Sequence, residues 1–161
     1  MKRHKIEGMV VDMESNPIEG ALVRTYRGAF GQVDQVGEDS TNQDGMYRIR
    51  FDAGSPIRIV RYDCLFQGLN SCHPAIVDNI SGERNHKINK VMYRVGMGYD
   101  RDALLDILST YERVYLIDVS QNVTLDELEK RYRGNLGMMK YVDEITRQRY
   151  DQVTQLYDKR E

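Results

Sequence analysis

Residues that carry metal or redox chemistry in small proteins are scarce in this sequence. Its 161 residues include no tryptophan, two cysteines and three histidines. Two cysteines are too few for a framework of disulfides. The histidines, His4, His73 and His86, are dispersed and show none of the short, repeated spacings of a zinc site. We therefore expect no metal and no cofactor.

Long apolar runs and an excess of one charge are also lacking. No stretch approaches the roughly eighteen apolar residues of a membrane helix, so the sequence predicts no membrane insertion. A net charge of −2 provides no broad attraction for nucleic acid, which usually binds clustered Lys and Arg. The basic residues 1–5 lead into Ile6-Glu7-Gly8 instead of the apolar core of an export signal. The compartment stays open, cytoplasmic as written or extracytoplasmic if a signal was trimmed.

What is present is typical of a soluble, packed protein, with 40% hydrophobic and 30% charged residues. Apolar and charged side chains alternate in Tyr47-Arg48-Ile49-Arg50-Phe51, the pattern of a strand with one buried face. Turn residues precede it at Asn42-Gln43-Asp44-Gly45. Further strands are predicted near residues 6–11, 21–26, 57–62, 75–77 and 88–95. About seven short strands at this spacing favour an antiparallel β-sandwich.

The pattern changes at Gly96-Met97-Gly98, after which apolar residues recur every three or four positions. We place a boundary there, between a sandwich at residues 1–95 and a helical extension at residues 96–161. Asp100 is the predicted N-cap of a first helix. Thr124 and Glu127 have the form of a capping box at the start of a second helix. Gly134 predicts the end of that second helix, and a third is expected from 138 to 156. The fold class is therefore mainly β plus α, with about three helices.

The apolar stripes of these helices must be buried, either within the chain or in an oligomer. The first stripe is predicted to contain Leu104, Ile107, Leu108, Tyr111, Val114 and Tyr115, and the third Met139, Val142, Ile145, Val153 and Leu156.

Three segments resemble the carboxypeptidase regulatory-like domain. They are Ile6-Glu7-Gly8-Met9-Val10-Val11-Asp12, Asn16-Pro17-Ile18-Glu19-Gly20-Ala21-Leu22-Val23 and Thr41-Asn42-Gln43-Asp44-Gly45-Met46-Tyr47-Arg48-Ile49. The resemblance covers residues 6–95 and implies a prealbumin-like β-sandwich. These domains commonly accompany other domains and share no active site, so the resemblance implies an accessory role and no catalytic residues. It does not extend to the helical segment.

Two sets of residues are candidates for a site. Arg48, Arg50 and Arg58 are predicted to bind a partner if they share an exposed face, although such residues more often keep a sheet soluble. Cys64 and Cys72 are separated by a loop that a disulfide could close, and they equally fit two buried thiols.

A covalent site is a further hypothesis, because Lys5 and either Asn85 or Asn89 lie on the predicted first and last strands. Some β-sandwiches join such residues in an isopeptide bond with the help of a buried acid.

The leading functional hypothesis is a non-catalytic protein–protein interaction or scaffold module, with a protein partner or self-association through the helices. A carbohydrate-binding module is the alternative, since eleven tyrosines could stack on sugars. We expect packing roles for Tyr47, Tyr111 and Tyr115, and leave Tyr62, Tyr93 and Tyr99 open. An enzyme of unrecognised type is the third hypothesis, and it would need a concave site with convergent titratable groups.

Overall fold

The computed structural model describes residues 3–52, 54, 56–65, 71–80, 84–139 and 142–158. Within these ranges the chain forms a β-sandwich followed by three helices, which confirms the predicted fold class. The strands are β1 (Arg3–Val11), β2 (Leu22–Ala29), β3 (Gln32–Ser40), β4 (Met46–Asp52), β5 (Ile59–Cys64), β6 (Cys72–Val77), β7 (His86–Lys87) and β8 (Lys90–Val91). The helices are α1 (Arg101–Ser120), α2 (Leu125–Gly137) and α3 (Glu144–Tyr157).

The strands form two sheets. In the first, β1 pairs antiparallel with β4 and parallel with β7 and β8. The second sheet has the order β3-β2-β5-β6 and is antiparallel throughout. At the free edge of the first sheet, the backbone N–H groups of Met46 and Arg48 donate to the side chains of Asn42 and Asp39, at 3.0 and 2.9 Å. The end of β3 and the turn before β4 therefore cover part of this edge.

The core between the sheets is built from the alternating positions of the strands. Tyr47, Ile49 and Phe51 are buried while Arg48 and Arg50 are exposed, as the alternation of β4 predicts. The hydroxyl groups of Tyr47 and Tyr62 lie 2.7 Å apart inside this core. The packing role of Tyr47 is confirmed, and Tyr62 has the same role.

The chain between 85 and 92 completes the first sheet, and asparagine side chains take part in the pairing. The Ile88 amide donates to the Glu7 carbonyl at 2.8 Å. On either side of it, the Lys5 and Met9 amides donate to Asn85 Oδ1 and Asn89 Oδ1, each at 2.9 Å. Since these side chains replace backbone acceptors, the ladder splits into the two short strands β7 and β8.

The helices form a third layer on the outer face of the second sheet. Tyr26, Val33, Ile59 and Ile76 of that sheet share one buried cluster with the apolar residues of all three helices. The predicted stripe of α1 is buried there, with Tyr115 partly buried. The stripe of α1 is thus buried within the chain.

The predicted helix starts are confirmed at Asp100 and Thr124, whose side chains accept from the amides of Ala103 and Glu127. The predicted end of α2 at Gly134 is wrong, because the helix continues to Gly137 and buries Leu136.

The third helix begins later than predicted. Asp143 is its N-cap and accepts from the Thr146 amide at 2.8 Å, so α3 starts at Glu144 instead of near 138. Val142 and Ile145 are 64% and 58% exposed, which makes their predicted burial wrong. The buried side of α3 is formed by Thr146, Val153 and Tyr157.

Candidate functional site

The outer face of the first sheet carries a cluster of cations. Because the strand register places Arg48 and Lys87 on either side of Glu7, and Arg50 beside Lys5, these five side chains share one face. Glu7 lies 3.2 Å from Lys5 Nζ and 3.1 Å from Arg48 Nε. The hydrogen bond from Lys5 and the charge of Arg48 lower the pKa of Glu7 and keep it ionised. The five side chains together carry +3, and the Asp39 carboxylate at the edge beside Arg48 offsets one of these charges, although the chain as a whole carries −2.

Apolar side chains continue the same face. Met9 is the direct partner of Met46, and Val11 is the partner of Val91. Met9, Met46 and Val91 are 38%, 37% and 46% exposed. We call these three residues together with Lys5, Glu7, Arg48, Arg50 and Lys87 the basic face. Flexible methionine side chains beside a rim of cations are typical of surfaces that adapt to a protein partner.

Arg58 does not share the basic face with Arg48 and Arg50. It precedes β5 in the second sheet, where its amide donates to the Tyr26 carbonyl at 2.9 Å. Its Nη1 donates to the Ile80 carbonyl at 3.0 Å. The structure thus brings together two of the three predicted arginines and adds Lys5 and Lys87 to them. Strand register, which the sequence alone does not give, was needed to find these two lysines.

A buried ion-pair network joins the second sheet to the helices. Arg61 of β5 is fully buried, with Nε 2.7 Å from Asp63 and Nη1 2.6 Å from Asp118 of α1. Arg61 also donates to the hydroxyl of Tyr132 in α2, and Arg24 lies 2.6 Å from Asp63. Although burial opposes ionisation, the charges of Arg61 and Arg24 lower the pKa of Asp63. Two cations and two carboxylates balance, so the network is suited to holding the helical layer in place.

His73 lies in the same layer and is fully buried. Its Nδ1 is 2.8 Å from the Tyr111 hydroxyl, and its ring packs edge-on against Tyr99 and Tyr111. Among the described residues, Nε2 has no hydrogen-bond partner. Burial lowers the pKa of His73 to about 4, so the folded protein holds the neutral imidazole at neutral pH.

This burial predicts acid sensitivity. Below a pH of about 6.5 the unfolded chain takes up a proton at His73 and the folded chain does not, until the pH approaches 4. The free energy of unfolding therefore falls between pH 6.5 and 4, by up to about 3 kcal/mol from this residue. Urea unfolding across this range should show a smaller loss in His73→Phe than in the native sequence. His4→Gln, near the start of β1, is the control for removing a histidine. An unchanged pH dependence in His73→Phe would contradict the assignment.

Cys64 and Cys72 are direct partners in the register of β5 and β6, and both are buried between the sheets. A hydrogen bond from Cys72 lowers the pKa of the Cys64 thiol, and the same contact raises that of Cys72. In this structure the two cysteines are not joined by a disulfide. Directly opposed residues on antiparallel strands have a spacing that a disulfide can span. The disulfide stays a prediction.

The structure does not bring the Lys5 amine onto an asparagine side chain. Lys5 Nζ lies on the exposed side of β1 beside Glu7, while Asn85 Oδ1 accepts from the Lys5 backbone amide. Asn89 is likewise occupied by the Met9 amide. This geometry does not support the isopeptide hypothesis, since the reacting groups would need to meet beside a buried acid.

Within the described ranges, no helix is long and apolar enough to cross a membrane. The same residues contain no group of three or more His, Cys, Asp or Glu side chains placed to hold a metal ion.

The fold and these surfaces define the class of protein as a two-sheet β-sandwich with a helical layer on one sheet. No protein-family model and no curated protein matches the chain. Similar solved structures include a 9R-lipoxygenase from Cyanothece PCC8801, the Streptococcal ancillary pilin and the major plantain pollen allergen Pla l 1.

The sequence identities to these structures are 13%, 12% and 18%, with TM-scores of 0.40, 0.36 and 0.39. The matches cover 81%, 58% and 58% of this chain, and 26%, 33% and 94% of the other chains. This chain thus spans about a quarter of the lipoxygenase and a third of the pilin. Likeness at this level carries no functional argument, so the function is argued from the chain's own surfaces.

Proposed function

We propose that this protein is a non-catalytic protein-interaction module that binds its partner on the basic face. The observation that carries the proposal is the contrast between the two sheets. The helices cover the outer face of the second sheet, while the first sheet presents exposed methionines beside a cluster of four cations. An acidic partner surface with apolar side chains at its centre would complement this arrangement.

The family resemblance supports an accessory role, and several of the residues that carry it are structural. Gly20 and Gly45 have φ angles of 79° and 75°, in the left-handed region that favours glycine. Tyr47 is buried between the sheets. Residues 6–95 are therefore proposed to be a carboxypeptidase regulatory-like sandwich that serves as a platform.

The contrast between the two sheets also indicates different roles for the sandwich and the helices. The stripe of α1 and the buried sides of α2 and α3 pack into the cluster shared with the second sheet, so the helices are proposed to stiffen the platform, although Val142 and Ile145 stay exposed. The tyrosines also contribute to this layer: Tyr111, Tyr132 and Tyr157 are buried in contact with one another. This use of the tyrosines favours a protein partner over a carbohydrate.

Selection of peptides from a random displayed library against the whole chain tests the proposal. We expect enriched peptides to combine acidic and apolar residues. Reversing two charges in Arg48→Glu/Arg50→Glu should weaken their binding at least tenfold, about the effect of losing one good contact. Fluorescence anisotropy of a labelled peptide measures the change.

The matched control is Lys130→Glu/Arg147→Glu, which reverses two exposed charges on the helices and gives the same net charge. It should leave binding within about twofold, a difference well below one tenfold step. Equal losses in both double variants would overturn the basic face as the binding surface. Tight binding of a DNA duplex that only the first variant loses would instead assign the face to nucleic acid.

A further inference from the structure

A second surface, separate from the basic face, has the features of a small-ligand site. It is an open cleft of about 660 Å³ where β5 begins, beside the tip of the β2–β3 hairpin. Its volume lies in the usual range for ligand sites, roughly 300–1,000 Å³. We infer that this cleft binds an apolar monocarboxylate, such as an aromatic or branched aliphatic acid, with Arg58 holding the carboxylate.

Part of the cleft lining is apolar. Ala29, Phe30 and Pro56 line it, with Ile59 beneath them. Phe30 is partly exposed and packs against the cluster shared with the helices, so its ring is fixed on one side and open on the other. A ring or branched chain of a ligand can bury itself against these side chains.

The cleft lining contains two arginines and two aspartates, and Arg113 of α1 adds a third arginine beside Asp78. Arg27 lies 3.5 Å from Asp34, and Asp78 lies 3.3 Å from Arg113 of α1, so each lining carboxylate has its own arginine. Arg58 donates to a backbone carbonyl, that of Ile80, and this leaves its positive charge for a ligand. One excess cation beside an apolar wall matches an apolar molecule with a single negative charge.

Arg58 is also held in place before any ligand arrives. Its amide donates to Tyr26 and its carbonyl accepts from the Ile80 amide, at 2.9 and 3.4 Å. The bond from Nη1 to the Ile80 carbonyl orients the guanidinium itself. A guanidinium has five N–H donors, so a carboxylate can bind to the remaining ones without a large entropic cost of ordering the side chain.

The test is a ¹H–¹⁵N NMR titration of the whole chain with phenylacetate and 4-methylpentanoate, each compared with its uncharged amide. We expect shifts at Ala29, Phe30 and Arg58, with each acid binding at least tenfold more tightly than its amide, since one charge-assisted contact is worth about that factor. Arg58→Gln should weaken the acids to the level of the amides and leave the amides unchanged. Arg58→Lys should keep part of the difference.

Arg50→Gln, on the first sheet, is the matched control and should bind the acids as the native chain does. Equal affinity for acids and amides, equal losses in Arg58→Gln and Arg50→Gln, or no shifts at the cleft would each overturn the inference. The double variant of the basic face should retain acid binding. The experiments can therefore distinguish a failure of the protein-interaction proposal from a failure of the proposed ligand site.

Discussion

Replacing Arg61 with methionine is expected to lower the free energy of unfolding by about 3 to 5 kcal/mol, the range for removing one partner of a buried ion pair. The methionine fills most of the space of the arginine and removes only its charge and its hydrogen bonds. Asp118 would then remain buried with Tyr132 alone, at 3.2 Å. Since Arg61 contacts both α1 and α2, the loss should loosen the helical layer as a unit.

Urea unfolding followed by circular dichroism measures this change. Arg48→Met is the matched control, because Arg48 pairs with Glu7 on an exposed surface, and exposed pairs contribute about 0 to 1 kcal/mol. The combination of Arg61→Met with Asp118→Leu should be less destabilised than the sum of the two single variants, since it leaves no buried charge on α1. An Arg61→Met variant as stable as Arg48→Met would show that the network does not hold the layers together.

Gly8→Ala is the second change with a large expected effect. A Cβ atom at Gly8 would lie 1.8 Å from the Ile88 carbonyl oxygen and 2.6 Å from its carbon. Both of these atoms belong to the backbone, so the segment at 86–91 would have to move away from β1 to make room for the new Cβ atom. The Ile88 carbonyl also accepts from the Tyr47 hydroxyl at 2.7 Å, and this bond would be strained as well.

We expect Gly8→Ala to cost about 3 kcal/mol or more, from steric overlap together with weakened hydrogen bonds. Gly98→Ala is the control, since a Cβ there meets nothing within 4 Å, and it should change stability by less than about 0.5 kcal/mol. Amide hydrogen exchange should localise the loss of Gly8→Ala to Ile88 and its neighbours. Unchanged protection at Ile88 would contradict the proposed cause.

The parts of the fold that could be predicted from the sequence are those where local chemistry and the final structure agree. The alternation of β4 and the caps at Asp100 and Thr124 depend on neighbouring residues, and both are confirmed. The strand β3 was missed because only Val33 is buried in a run dominated by polar residues. Its position follows from pairing with β2, which is a non-local interaction.

The candidate sites depended even more on distant contacts. Arg61 and Asp118 are 57 positions apart, and neither has a local signature that distinguishes it from a surface charge. Val142 and Ile145 fitted a helical stripe, yet Asp143 caps α3 between them and leaves both exposed. The alternation of β4 is enough to place Arg48 and Arg50 on one face of the sheet. The position of Arg58 could not be predicted in this way, because it depends on which of the two sheets contains its strand.

The covered edge of β4 has a consequence for how a partner can be recognised. Because Asn42 and Asp39 already accept from the Met46 and Arg48 amides, a partner strand that joined this edge would first have to displace them. Backbone hydrogen bonds between strands do not depend on which side chains the strands carry. Displacing Asn42 and Asp39 raises the free-energy cost of forming such bonds at the edge beside the basic face. Selectivity is therefore left to the side chains of that face, where exchanging a few residues would change the partner while the sandwich beneath stays the same.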